Sequence, residues 1–225
     1  MKLKLQWVIT ACSFAFVHPS AAVGQYDVVL EGGRVMDPES GLDAVMNVGI
    51  TDGRVAEISV DVMDGTEIVD VSGLVVAPGF IDLHAHGQDP FSRDLQVRDG
   101  VTTALELESG VWPVDDWYEE REGNWRINFG GTTSYWAARS LAFDDVREAT
   151  VYAPPMISHI EEIQRSVSSG LARGALGVGL GLQYIPGATR AEIFRMFQTA
   201  AGAGMTVFVH IRYAGVLEPE SSIAA

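Results

Sequence analysis

From Tyr26 to about Val76, apolar and polar residues alternate over short runs: Asp27 to Leu30, Val45 to Ile50, Arg54 to Val60 and Glu67 to Val71. Runs of this kind between turn residues predict β-strands, with Asp52-Gly53 and Asp64-Gly65 at hairpin-like turns. Beyond Val76 the pattern changes. Strand-like runs at Val75 to Leu83, Val101 to Leu107, Ile127 to Gly130, Leu176 to Leu180 and Thr206 to His210 alternate with helical stretches at Val114 to Glu122, His159 to Gly170 and Arg190 to Ala203. Thr189 can cap the last helix, whose Ile193, Met196, Phe197 and Ala200 fall on one face. Strand and helix in alternation build β/α units on a parallel sheet. The expected class is therefore α/β, a (β/α)8 barrel of the TIM type whose active site gathers at the carboxyl ends of the strands. A whole barrel takes about 250 residues. Residues 77–225 hold about the first five of its units, so we expect the first part of a truncated barrel. Pro219 to Ala225 reads as a loop entering another helix.

With 225 residues, 47% of them hydrophobic, the chain can bury the core of one or two domains. Its 15 basic and 30 acidic residues give a formal charge of -15, which argues against nucleic acid, DNA or RNA, and against anionic membrane surfaces as partners. Met1 to Gln25 reads as a secretory signal: Lys2 and Lys4, a mostly apolar run from Leu5 to Val17, then small residues around Ser20 to Gly24. That run is shorter than the roughly 20 residues of a membrane span. We expect a secreted or periplasmic protein. Ile9-Thr10-Ala11-Cys12 loosely resembles a lipoprotein cleavage box, although the apolar stretch continues past Cys12. Cys12 is the single cysteine, so beyond the signal there is neither a disulfide nor a thiolate nucleophile. Both lysines lie in the signal as well.

Candidate chemistry concentrates where strands end. Pro78-Gly79-Phe80-Ile81-Asp82-Leu83-His84-Ala85-His86 delivers two imidazoles one residue apart. On a strand these point the same way and can chelate one ion. An isolated His-x-His is more often a solvent-facing or core-satisfied pair. Here the apolar lead-in from Leu74 to Pro78 places the histidines where a buried strand emerges, which favours a zinc-type site. Glu106 and Glu108 share a face at the end of the second barrel strand. A carboxylate near a buried barrel interior needs a cation, and Glu108 is the first choice as metal ligand, with Glu106 the alternate. The competing expectation pairs these acids with Arg139 or Arg126, or leaves them in a solvated loop. His210 leaves the fifth barrel strand and completes a ligand set with His84 and His86. Arg212 faces as His210 does and suits a substrate carboxylate, or equally a surface ion pair. The glycines from Gly174 to Gly187 lack the signature of a phosphate loop; they let backbone approach a ligand or bend the strand. Tyr184 follows them, placed either to hydrogen-bond substrate or to pack on Pro186. His159 reads as structural. Ser109 has no nucleophile elbow around it.

The chain resembles the amidohydrolase superfamily, and within it the N-acyl-D-amino-acid deacylase branch (D-aminoacylase and D-glutamate deacylase-like). The motifs are Tyr26 to Val35, Ala77 to His86, Gly100-Val101-Thr102-Thr103, Gly174 to Gly177 with Tyr184-Ile185-Pro186-Gly187, and His210-Ile211-Arg212. The resemblance implies an amino-terminal β-sandwich subdomain over residues 26–76 beside a metal-bearing barrel. It makes His84, His86 and His210 ligands of zinc, one ion or two, and Tyr184 a substrate-contacting tyrosine. The implied reaction is hydrolysis of a small-molecule linear amide, an N-acyl amino acid, by metal-bound hydroxide; cyclic-amide hydrolysis and a truncated, non-catalytic periplasmic role are the rivals. The branch often carries a cysteine where Ser109 stands, so Glu108 or Glu106 has to replace that thiolate. Without a lysine past Lys4, a carboxylated lysine bridging two metals is excluded. The family's general-base Asp, expected beyond residue 225, is absent from this chain. The isolated 225 residues are expected to be inactive or very weak.

Overall fold

The computed structural model describes residues 25–86 and 89–212; the expected signal segment with Cys12 and the loop expected from Pro219 to Ala225 lie outside the described residues. The chain divides between Pro78 and Gly79 into two units.

The first unit is a five-stranded sheet of β1 (Tyr26–Asp37), β2 (Leu42–Thr51), β3 (Arg54–Ser59), β4 (Gly65–Asp70) and β5 (Val75–Val76). β2 and β3 form an antiparallel hairpin around Asp52 and Gly53, whose φ angles of 51° and 68° give the left-handed two-residue turn that matches strand twist. Asp64-Gly65, expected at a hairpin-like turn, is not one. β4 crosses to the open edge of β1 and runs parallel to it, Val28 opposite Glu67 and Leu30 opposite Val69. Its entry lies over the buried cluster of Tyr26, Val29 and Met63, so the connection is set by that small core.

The second unit contains β6 (Phe80–Asp82), α1 (Pro90–Arg98), β7 (Val101–Val111), α2 (Val114–Glu119), β8 (Asn128–Ser134), α3 (Tyr135–Ala142), α4 (Arg147–Tyr152), α5 (Ile157–Ala172), β9 (Gly177–Leu180), a 3-10 turn at Leu182–Tyr184, α6 (Arg190–Gly202) and β10 (Thr206–Val209). Its five strands are parallel and lie side by side in chain order. That is the arrangement of the first five strands of a (β/α)8 barrel. The sheet is curled: at Gly179 on β9 a Cβ would lie 2.6 Å from the carbonyl oxygen of Leu107 and 2.8 Å from that of Glu108, both on β7. Glycine is what permits this approach. The core behind the sheet is formed by Val114, Tyr135, Ile163, Val167, Val178 and Met196 with their neighbours.

Three expectations fail here. The run Val75 to Leu83 is not one strand but breaks at Pro78-Gly79, where proline cannot donate to a ladder and a Cβ on Gly79 would lie 2.0 Å from Thr102. The strand that follows is not buried either. Phe80 and Ile81 are 65% and 62% exposed, because β6 pairs with β7 alone and ends its sheet among the described residues. In α6, Thr189 does cap the helix and Met196 and Ala200 are buried, but Phe197 is 44% exposed and the charged Glu192 takes an interior position. The helices α1, α3 and α4 were not foreseen. Ser134 caps α3, accepting from the Ala137 N–H at 3.3 Å.

Candidate metal centre

β6 ends at Asp82, whose carboxylate accepts the His84 N–H at 3.0 Å and turns the chain out of the strand. The two histidines thus lie just past the strand rather than on it. The backbone nevertheless keeps beside β7, since the Ala85 N–H donates to the Leu105 carbonyl at 3.0 Å. Ala85 is buried and the flanking imidazoles face the other way, their ring centroids 4.6 Å apart and edge to face.

Glu108 is where the site converges. Its Oε1 lies 3.1 Å from His86 Nε2, 3.6 Å from His84 Nε2 and 3.5 Å from His210 Nδ1. Bonds of about 2.0–2.1 Å to a tetrahedral zinc separate neighbouring ligand atoms by about 3.3–3.4 Å, a spacing that the Glu108 distances to His84 and His86 approach, while His210 stands near Glu108 but outside the group of mutually close ligand atoms. Three imidazoles gather on one buried carboxylate. Ligand atoms of His84, His86 and Glu108 fall within 4.8 Å of one another. Glu108 Oε2 is buried without any hydrogen-bond partner, and an orphaned carboxylate oxygen is costly unless a cation meets it. The donor set fits a borderline divalent ion, with neutral imidazoles and a single carboxylate as ligands.

Glu106, one pleat back on β7, does not join that set. Both its oxygens contact His86 Nδ1, at 2.9 and 3.0 Å. Burial raises the Glu106 carboxyl above the ordinary range, opposed by His86. At His86, burial disfavours the imidazolium, but the hydrogen bond and charge of Glu106, followed by those of Glu108, outweigh it and the pKa is raised. Ser109 places its Oγ 3.3 Å from Glu108 Oε1. Arg139 has a different partner from the one weighed for it: its guanidinium is fully buried against Glu192.

Tyr184 is half exposed, its ring 4.9 Å from that of His210. It borders a cavity of about 480 Å³ shared with Trp136, Arg147, Val151 and Tyr152. Arg212 is held by backbone carbonyls rather than by a surface acid: Nε donates to the Leu182 carbonyl at 3.1 Å, and Nη2 to those of Ile185 and, at 2.9 Å, Ala188. It braces the loop that carries Tyr184. The glycine spacing suits either a ligand or a bend; at Gly179 the room serves strand β7.

A sequence profile of the amidohydrolase family matches residues 67–180, half of the chain. This chain belongs to the amidohydrolase family. Among solved structures, this amidohydrolase is similar to the N-acyl-D-glutamate deacylase of Bordetella bronchiseptica, complexed with zinc and a phosphonate inhibitor: TM-score 0.70, 26% identity, 83% of this chain and 45% of that one covered. A D-aminoacylase gives TM-score 0.69 at 24% identity over the same shares, a likeness of fold. Among curated proteins, the dihydroorotase of Solibacter usitatus is 28% identical over 207 residues, 72% of this amidohydrolase and 48% of the relative. That of Streptococcus pneumoniae is 45% identical over 64 residues, 28% of this chain and 15% of the relative. The chain thus spans about half the length, or less, of these relatives.

Proposed function

We propose that this amidohydrolase is a metal-dependent hydrolase that cleaves the amide of N-acyl-D-amino acids, and that it works outside the cytoplasm, the reading favoured by the basic start and apolar run expected to form an amino-terminal signal. The observation that carries the reading is the gathering of His84, His86 and His210 on Glu108, with the second Glu108 oxygen unpartnered. The likeness to a D-glutamate deacylase, over 83% of the chain at 26% identity, supports the linear-amide branch. A divalent ion on these ligands, zinc by donor type, supplies polarisation of the amide carbonyl and activation of water. The chain's own residues do the rest. His84 and His86 bind from the end of β6 and His210 from the end of β10, while Glu108 contributes the negative charge. Tyr184, beside His210, offers its hydroxyl to the substrate, and the neighbouring cavity, lined by Trp136, Val151 and Tyr152 with Arg147 and Glu148, has room for an acyl group.

A second reading, opening of a cyclic amide, is favoured by the dihydroorotase relatives. Zinc-loaded full-length protein assayed on N-acetyl-D-glutamate, N-acetyl-D-leucine, dihydroorotate and a hydantoin separates the two. Release of a free amine is the expected result. Ring opening without amine release assigns the second reading, and silence on both classes sinks the hydrolase proposal.

A further inference from the structure

We infer that Glu106 is a positioning residue of this centre, holding His86 by one ring nitrogen so that the other faces the ion. This rests on the reading of the cluster as a metal centre and adds a residue to it. An imidazole has its two nitrogens on opposite sides of the ring and presents only one of them to a given ion. His86 Nε2 points at Glu108 Oε1, 3.1 Å away, while Nδ1 lies between the two oxygens of Glu106 at 2.9 and 3.0 Å. Glu106 therefore stands across the ring from Glu108 and outside the ligand shell. The strand makes this possible, because residues two apart project from the same face about 6.6–7 Å apart, and one imidazole with its two contacts fills such a gap. Two carboxylates of β7 bracket one histidine. One meets the ion; the other fixes tautomer and ring plane, because its oxygens accept the Nδ1–H and leave Nε2 as the lone-pair nitrogen. Buried carboxylates placed in this way raise ligand basicity, and their loss typically costs 10–100-fold in metal affinity. Glu106 is itself well shielded, its side chain only 12% exposed, so its charge is weakly screened at His86.

The test is titration of full-length apoprotein with Zn2+ and with Co2+, in the wild type, E106Q, E106A, H86A and the E106A/H86A double variant. We expect one ion per site in each Glu106 variant, with affinity lowered about 10–100-fold in E106A. The loss in E106Q is smaller, since a carboxamide oxygen still accepts from Nδ1–H. In the H86A background E106A has much the smaller effect, because the hydrogen bonds of Glu106 go to that ring. The Co2+ absorption bands of E106Q keep the wild-type coordination number. Wild-type affinity in E106A, an additive loss in the H86A background, or a reduced coordination number in E106Q would each overturn the inference, the last by making Glu106 a direct ligand. Should E106A fail to fold, E106Q with and without H86A carries the same comparison. A wild type that takes up neither metal overturns the metal centre itself and the inference with it.

Discussion

Glu192 sits on a helix face that patterning assigns to apolar residues, and it is wholly buried. Its Oε1 accepts from Arg139 and, at 2.7 Å, from the Tyr135 hydroxyl, and its Oε2 accepts the Thr189 N–H at 3.2 Å. Arg139 is completed by the carbonyls of Thr150, at 2.7 Å, and Ala153. Removing one member strands a charge in the core. Glu192→Ala is expected to cost about 3–5 kcal/mol in urea unfolding, and Tyr135→Phe, which deletes one bond and leaves the ion pair, about 1 kcal/mol. At the candidate metal centre Glu108 is the residue whose loss should matter most. In wild-type protein, zinc at 100 times its dissociation constant should add about 2.7 kcal/mol of stability; Glu108→Gln should abolish that gain, read as the shift of the thermal midpoint with and without chelator. Residue type and spacing made His84, His86, His210 and Glu108 legible in the sequence. The Glu106 bridge to His86 was not, because it depends on the strand register that sets β6 beside β7.

Helix α1 begins at Asp89, whose carboxylate accepts the N–H groups of Phe91 and Ser92 at 2.9 and 3.2 Å and the Ser92 hydroxyl at 2.5 Å. The Ser92 hydroxyl, then the Ser92 N–H, hold its pKa below the ordinary aspartate value. A carboxyl depressed in the folded state stabilises above its unfolded pKa and loses that contribution as pH falls through the folded value. Amide protection in α1 should therefore weaken as acid is added below about pH 4, and Asp89→Asn should flatten the dependence without removing the cap. In the sheet, Gly179→Ala would push β9 from the back of Leu107 and Glu108. Overpacking of this kind costs about 1–3 kcal/mol; here it should also weaken metal uptake, read in the same zinc titration. Alternation and capping residues exposed the strands and α6 in the sequence. The helices α1, α3 and α4 escaped because they are short, six to nine residues, and draw their stability from caps and packing more than from a periodic stripe.

Across the second unit the order of strands was readable, since β/α alternation admits few topologies. Exposure along β6 was not, because a strand's sequence does not show which of its neighbours are in place. β6 and β10 end the five-stranded sheet among the described residues, and Phe80, Ile81, Leu83 and Ile211 are exposed beside those edges. Open edges with apolar neighbours invite pairing with another chain, so the 225-residue chain alone should self-associate as concentration rises, visible in sedimentation velocity. The bracing of the Tyr184 loop reaches further than stability. Arg212 ties that loop to the segment carrying His210, and the backbone adds two more bonds, Gln183 N–H to the His210 carbonyl at 3.2 Å and His210 N–H to the Leu180 carbonyl at 3.0 Å. Residues 180–188 therefore cannot swing as a lid without dragging His210 along. For the hydrolase proposed above, selectivity on this side of the site would then rest on rotamers of fixed side chains, and a substrate too large for the opening would be refused rather than accommodated.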